Sequence, residues 1–334
     1  MILITGAGGF IGGFLAKELS NDPRVKVRCV DIKPLDQWYQ IHEQCENLVM
    51  DLKLYKNCES VTQDINEVYN LACDMGGMGF IENNKALCML SVLINTNLLN
   101  ACLRSKIGRY FYSSSACVYN QSKQNSTNLS ALKEEDAYPA MPEDGYGWEK
   151  IFSERMCRHF MEDFGLECRV ARYHNVYGPY GTYDGGREKA PAAICRKTIN
   201  AKLTNNLNIE IWGDGEQTRS FMYIDDCIEG TLKIMKSDIK EPINLGSSEL
   251  VTINQLVSKI ENIAKIDLNR QYNLEAPLGV RGRNSDNTLI KSYLSWEPSI
   301  KLSDGLRITY DWISDQMQGK NEQRDAFIKG GNAG

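Results

Sequence analysis

The chain has 334 residues, 42% of them hydrophobic and 24% charged, with a formal net charge of -5. That length accommodates a large α/β domain with a smaller lobe, and a mildly acidic chain without a long Lys/Arg run is a poor candidate for binding nucleic acid or an anionic membrane. Eleven scattered cysteines without paired Cys-x-x-Cys signatures, and three histidines at 42, 159 and 174, argue against a metal site or a disulfide scaffold.

Met1–Thr5 reads as a short apolar strand, which leaves no room for a leader, and Gly6–Gly12 turns it into a helix over about Phe10–Leu19. Val25–Asp31 and Asn47–Met50 are the next strands, and Glu67–Ala72 the fourth, followed by the glycine-rich Met75–Gly79. The apolar period from about Asn83 to Arg104 predicts one long helix, and Arg109–Ser113 a fifth strand. Asn120–Pro142 is polar and proline-bearing, an excursion over the surface. From Gly145 to Phe164 the helical period returns, with Phe152, Met156, Phe160 and Phe164 spaced to share a face. Leu166–Tyr173 is another strand, and Pro179–Arg187 a loop that shapes a pocket. Lys189–Ala201, the strand Glu210–Trp212 and most residues after Thr252 build a second lobe. Thr252 and Gln255 match an N-cap and capping box. The last helix runs from Ser303 to about Met317, ahead of a polar tail whose 330–334 end is expected to be disordered.

Strands alternating with helices give an α/β fold, a Rossmann-type doubly wound parallel sheet with a smaller C-terminal substrate-binding lobe. Residues 1–173, with 213–245 returning to them, form the sheet domain; 174–212 and 246–318 form mainly the lobe, and 319–334 the tail. No apolar run reaches membrane-spanning length, and the cysteines read as small hydrophobes in a reducing compartment, so the cytosol is the expected address.

Gly6-x-x-Gly9-x-x-Gly12 directly follows the opening strand, and Asp31 lies nineteen residues past Gly12. Such glycines permit a tight turn and close approach of a pyrophosphate to a helix N-terminus. A carboxylate ending the second strand accepts both ribose hydroxyls of NAD and repels the extra phosphate of NADP, so NAD is the expected cofactor. Asp51-Leu52 either meets the adenine ring or forms an ordinary solvated turn.

Tyr146 and Lys150 are four apart on a predicted helix and face the same way. A neighbouring ammonium favours phenolate, so the tyrosine pKa is expected to fall and the phenol to take a hydroxyl proton while carbon loses hydride. Ser115 is placed to hydrogen-bond to the same substrate oxygen. Cys117, two residues beyond it, has no task in a plain hydride transfer.

Gly6-Ala7-Gly8-Gly9-Phe10-Ile11-Gly12, Ser113-Ser114-Ser115, Tyr146-x-x-x-Lys150, Asn175-Val176-Tyr177-Gly178-Pro179 and Arg219-Ser220-Phe221 resemble an extended short-chain dehydrogenase/reductase acting on nucleotide sugars. Four further blocks, Asp74–Gly79, Ser114–Cys117, Gly185–Pro191 and Gly279–Asp286, are similar to the family of GDP-mannose 3,5-epimerases. The resemblance implies GDP-mannose as substrate: NAD+ oxidises C4, the ketone acidifies C3 and C5, and C4 is reduced again. The products are GDP-L-galactose and GDP-L-gulose, which ascorbate synthesis and polysaccharide building use. Carried over by motif, Cys117 is the carbon base and Lys189 the opposing acid, with Tyr146 on the C4 hydroxyl, Lys150 tuning it and Ser115 orienting the sugar. Phe10, Ile11, Leu71 and Ala72 would border the cofactor, and Met75, Gly76, Gly77 and Met78 the sugar. Arg219 and Arg281 suit a diphosphate, with Lys202 and Asn175 as further donors. Glu188 binds sugar hydroxyls or serves a salt bridge, and Arg283 is either in the site or a surface partner of Asp286. Two departures, Trp148 and Cys73, stand where the family commonly has Leu and Ala; Trp148 is expected to face away from the chemistry. In related enzymes the helices matching 83–104 and 145–164 pair across a two-fold axis, which implies a homodimer.

Three relatives of this chemistry compete. A 4-epimerase leaves Cys117 and Lys189 unexplained, a 4,6-dehydratase normally has Asp-Glu where this chain has Ala116-Cys117, and a decarboxylase needs a cation for a C6 carboxylate. A non-catalytic NAD-binding scaffold has no physical need to keep Ser115, Tyr146 and Lys150 together.

Overall fold

The computed structural model describes residues 1–128 and 130–330, with side chains to 319. In chain order the first half holds β1 (Ile2–Thr5), α1 (Phe10–Ser20), β2 (Val27–Asp31), β3 (Glu46–Val49), α2 (Tyr55–Val61), β4 (Glu67–Asn70), α3 (Met78–Asn83), α4 (Lys85–Met89), α5 (Val92–Arg104), β5 (Arg109–Ser115), α6 (Asp144–Phe164) and β6 (Glu167–Tyr173). There follow β7 (Val176–Tyr177), α7 (Ala190–Thr204), β8 (Asn208–Trp212), β9 (Thr218–Ser220), β10 (Met222–Tyr223), α8 (Ile224–Lys236), β11 (Ile243–Leu245), β12 (Leu250–Thr252), α9 (Ile253–Ala264), β13 (Asn269–Asn273), β14 (Gly282–Arg283), α10 (Thr288–Leu294) and α11 (Leu302–Gly330).

Seven strands form one parallel sheet in the order β11-β6-β5-β4-β1-β2-β3. The order reverses beside β1, so the crevice past the carboxyl ends of β1 and β4 is where such sheets bind ligands. Period-two alternation divides the strands between two cores. Ile4, Tyr69, Phe111 and Ala171 face one, while Leu3, Val68, Tyr110, Tyr112 and Val170 face the other. Residues buried on both sides explain the near-continuous apolar strands. The first core continues through Ile224 and Ile228 of α8 to Ile199 of α7, Leu256 of α9 and Leu306 of α11. Three small sheets, β10-β7, β12-β9-β14 and β13-β8, lie outside the large one.

Thr252 accepts from the Gln255 N–H at 3.0 Å while Gln255 accepts from the Thr252 N–H at 2.9 Å, the expected capping box. The expected single helix over 83–104 is divided into α4 and α5, with α3 ending at Asn83. Asn84 leaves helical geometry at φ -133°, and α4 ends at Met89 before α5 begins at Val92. Taken together Lys85–Arg104 is nevertheless long and apolar enough to cross a membrane, a length the sequence reading did not assign. Part of that composition is core: Ile94, Leu98, Leu99 and Cys102 fill the second core, and the Asn95 side chain accepts from Tyr110. The segment 120–142 is more than a surface excursion, since Leu132 and Ala137 pack in a small core with Tyr119 and Ile151. The last helix also outruns its expected end, continuing to Gly330; the anticipated disorder of 331–334 lies outside the described residues.

Candidate active site

The glycine turn joins β1 to α1. Gly6 has φ +73°, and a Cβ at Gly12 would sit 2.3 Å from the Gly6 carbonyl oxygen, so only glycine lets the helix start so close to the strand. Gly9 is the N-cap and offers no side chain to the first turn of α1, leaving its N–H groups for an anion. Asp31, 8% exposed, ends β2, and one of its oxygens accepts from the Lys33 N–H at 3.0 Å. Phe10 and Ile11 begin α1, and Leu71 and Ala72 follow β4, where the Leu71 N–H donates to the Thr5 carbonyl. Asp51 caps its own turn by accepting from the Lys53 N–H, and Leu52 is buried. A turn without room for side chains, a helix N-terminus and a buried carboxylate at the second strand end fit a dinucleotide of the NAD type.

The chemical end gathers at the carboxyl end of β5. Ser115 is half-buried, and its hydroxyl accepts from the Cys117 N–H at 3.2 Å and lies within hydrogen-bonding reach of the Tyr146 phenol. Cys117 and Tyr146 belong to one buried cluster, against which Cys73 and Met75 pack. The first turn of α6 reaches this spot because Gly147 has no Cβ; one added there would lie 2.4 Å from the Cys117 carbonyl oxygen.

Burial pushes the Tyr146 phenol well above its ordinary range, and the Cys73, Cys117 and Glu149 side chains add to the shift. The Lys150 ammonium, 5.5 Å from the phenol ring centroid, does not by itself offset that burial. The Lys150 ammonium donates to the Tyr112 hydroxyl and the Ser113 carbonyl at 3.1 Å each, with Glu149 at 3.5 Å. Burial works to depress the lysine, but Cys73 and Glu149 outweigh it and keep it charged. The Ser115 hydroxyl works in the opposite sense, favouring phenolate.

Lys189, half-buried at the N-cap of α7 where the preceding loop ends, lies near enough to Cys117 and Cys73 to interact with them electrostatically. Burial lowers its ammonium from the ordinary lysine range, while the Cys117, Cys227 and Cys73 side chains pull the other way. Its Nζ has no hydrogen-bond partner among the described residues. The loop is locked to the methionine-glycine loop: the Gly77 N–H donates to the Arg187 carbonyl at 3.0 Å and Arg187 donates to the Met75 carbonyl. A Cβ on Gly77 would lie 2.5 Å from the Glu188 carbonyl oxygen, so this seam needs glycine. Met78 closes the third side, against Gly279, and Gly76 is buried in the same loop.

Arg219 is the candidate anion anchor. It donates only to backbone carbonyls, of Thr218, Leu278 and Val280, and no carboxylate pairs with it among the described residues. Burial lowers it to about 10, Arg281 adds to that, and Cys117 opposes it. Arg281 is already forked onto Asp214 at 2.8 and 2.6 Å, holding that carboxyl down at about 2. Asn175 donates to the Ser220 carbonyl. Glu188 is engaged by Arg196 at 3.1 Å and by the Gly186 N–H, the salt-bridge alternative. Lys202 is not brought to the cluster: it lies near the far end of α7 and caps α9 through the Ala264 carbonyl. Arg283 is no surface partner of Asp286. It is 4% exposed, ion-paired with Glu143, with Nη1 3.7 Å from the Cys117 sulfur. Its place in the Gly279–Asp286 block was the one sequence signal for this role.

A model of the NAD dependent epimerase/dehydratase family matches residues 2–246. The chain is 46% identical over 329 residues to GDP-mannose 3,5-epimerase 1 of Oryza sativa subsp. indica, covering 96% of this chain and 84% of that one. It is 45% identical over 324 residues to GDP-mannose 3,5-epimerase of Arabidopsis thaliana, covering 95% and 83%. Among solved structures, UDP-glucose 4-epimerase of Thermotoga maritima superposes with a TM-score of 0.85 at 23% identity, over 95% of this chain and 99% of that chain, a likeness of fold.

Proposed function

This chain belongs to the NAD dependent epimerase/dehydratase family, and we propose that within it the protein converts GDP-D-mannose to GDP-L-galactose, and to GDP-L-gulose, as a 3,5-epimerase. The observation that carries this reading is a thiol clustered with the phenol and a half-buried amine, without a hydrogen-bond partner among the described residues, that interacts with the thiol. Cys117 and Tyr146 share one cluster, and the Lys189 ammonium feels the Cys117 side chain. Arg219, without a carboxylate partner, suits the diphosphate. Near 46% identity over nearly the whole chain to the rice enzyme supports the same substrate.

The glycine turn and Asp31 would hold NAD, which would supply the hydride acceptor and donor for C4. Tyr146 takes the C4 hydroxyl proton, with Ser115 holding the sugar oxygen and Lys150 fixing the wall behind the phenol. The ketone acidifies its neighbouring carbons. Cys117 removes a carbon-bound proton from one face, leaving an enolate, and Lys189 delivers a proton from the other, which inverts the centre. Asn175, Met75 and Gly76 border the sugar, and Arg281 joins Arg219 at the diphosphate when Asp214 releases it. Proton NMR of purified enzyme with GDP-mannose or UDP-glucose tests the assignment. Conversion of the GDP-hexose at two centres supports it; a UDP-sugar inverted at C4 alone would overturn it.

We also propose a homodimer. Met89, Leu90 and Leu93 lie exposed beside Trp148 and Phe152 of the neighbouring α6, an apolar face that a second copy would cover. Light scattering should give twice the chain mass, falling to one mass in Phe152→Glu. The cytosol suits eleven cysteines that are all free thiols.

A further inference from the structure

The Cys117 thiol is not alone in its pocket. Arg283 occupies the second position of β14, in register with Arg219 of β9. Its Nε donates to the Gln124 side-chain oxygen at 2.8 Å, and its other edge pairs with Glu143. Both clamps are fixed. Gln124 is fully buried and donates to the Tyr119 carbonyl, while the Glu143 N–H donates to the Cys117 carbonyl at 3.1 Å. Between them Arg283 presents Nη1 to the Cys117 sulfur at 3.7 Å. The guanidinium is held on two sides, unlike that of Arg219, and its open N–H faces sulfur.

Resting on the reading of Cys117 as the carbon base, we propose that Arg283 is a positioning residue that orients this thiol and stabilises the thiolate, and that Glu143 tempers its charge. The thiolate forms its S–H bond with the proton next to the ketone, and the C–H electron pair passes into the enolate. Cation and carboxylate act in opposite senses on an anion forming at sulfur. The other groups facing Cys117 are Tyr146, Cys73 and Cys88 in its cluster, and the charges of Lys189 and Arg219.

The test is iodoacetamide labelling of Cys117 in the full-length enzyme, followed by mass spectrometry, with Cys117→Ala to identify the adduct. Arg283→Gln should slow labelling at neutral pH by about tenfold or more and move its pH profile towards alkali. Glu143→Gln should speed labelling and move the profile towards acid. Arg283→Lys should fall between parent and Arg283→Gln, and carries the test where the glutamine variant unfolds. A merely structural clamp would shift both neutral variants in one direction. Unchanged labelling in Arg283→Gln, or shifts of the same sign, overturns the proposal whatever the turnover. If labelling shifts as stated but Cys117→Ala still exchanges substrate carbon protons with deuterated water, the base assignment fails and takes the catalytic part of the proposal with it.

Discussion

Gly12→Ala probes the cofactor turn at its tightest point. The added Cβ would lie 2.3 Å from the Gly6 oxygen and 2.8 Å from the Ala7 Cα. An ordinary carbon contact needs roughly 3.5 Å, so α1 and the turn must separate by about 1 Å. Overpacking of that size costs about 1–3 kcal/mol. The turn is held by backbone hydrogen bonds, Gly6 to Val30 at 2.8 Å and Gly9 to Gly6 at 3.1 Å, so the displacement falls on the N–H groups offered to pyrophosphate. At about 1.4 kcal/mol per tenfold, NAD should bind some 5–150 times more weakly. Calorimetric titration with NAD measures this directly, and thermal unfolding with and without NAD gives the stability share. Gly319→Ala, whose Cβ meets nothing within 4 Å, is the control. NAD affinity within twofold of the parent in Gly12→Ala would refute the reasoning.

Other sites give separate tests. Arg219→Met should raise KM for the GDP-sugar by about tenfold or more with NAD affinity unchanged, because it removes a half-buried guanidinium that donates only to backbone carbonyls; steady-state kinetics decide. Glu154→Gln strands Arg172, now forked onto it at 2.9 and 2.8 Å with both side chains 2% exposed, and should cost about 3–5 kcal/mol in denaturant unfolding. His174 is fully buried, and burial lowers it to about 4, helped by Arg172 and opposed by the Asn244 hydrogen bond. Below its ordinary 6.5 the unfolded chain takes up a proton that the folded one refuses. Stability should therefore fall as pH drops from 6.5 to 4, by about 3 kcal/mol, and His174→Gln should flatten that limb in unfolding titrations.

The sheet was legible because its physics is local. Arg109–Ser115 alternates between two cores, and the glycine turn and the Thr252 cap need only neighbours in sequence. The distance of Lys202 from Lys189 was legible too: thirteen helical residues at about 1.5 Å each is about 20 Å. Tyr146 was not decidable. Spacing places Lys150 on its face of the helix, but burial and the competing Tyr112, Ser113 and Glu149 partners set the phenol's basicity. Arg283 escaped for a similar reason. Its short strand lies beside β9 only after some sixty intervening residues have folded back, and nothing local marks which of two nearby arginines turns inward. The breaks at Asn84 and after Met89 interrupt an apolar period that reads as continuous in the sequence.

The most direct measurement is deuterium incorporation into GDP-mannose at C3 and C5 in deuterated water, followed by proton NMR. Parent enzyme should label both carbons, whereas Cys117→Ala and Lys189→Ala should each lose two-centre inversion while still oxidising C4. Equal labelling at both carbons in all three proteins would contradict a thiol and an amine working on opposite faces of one ring.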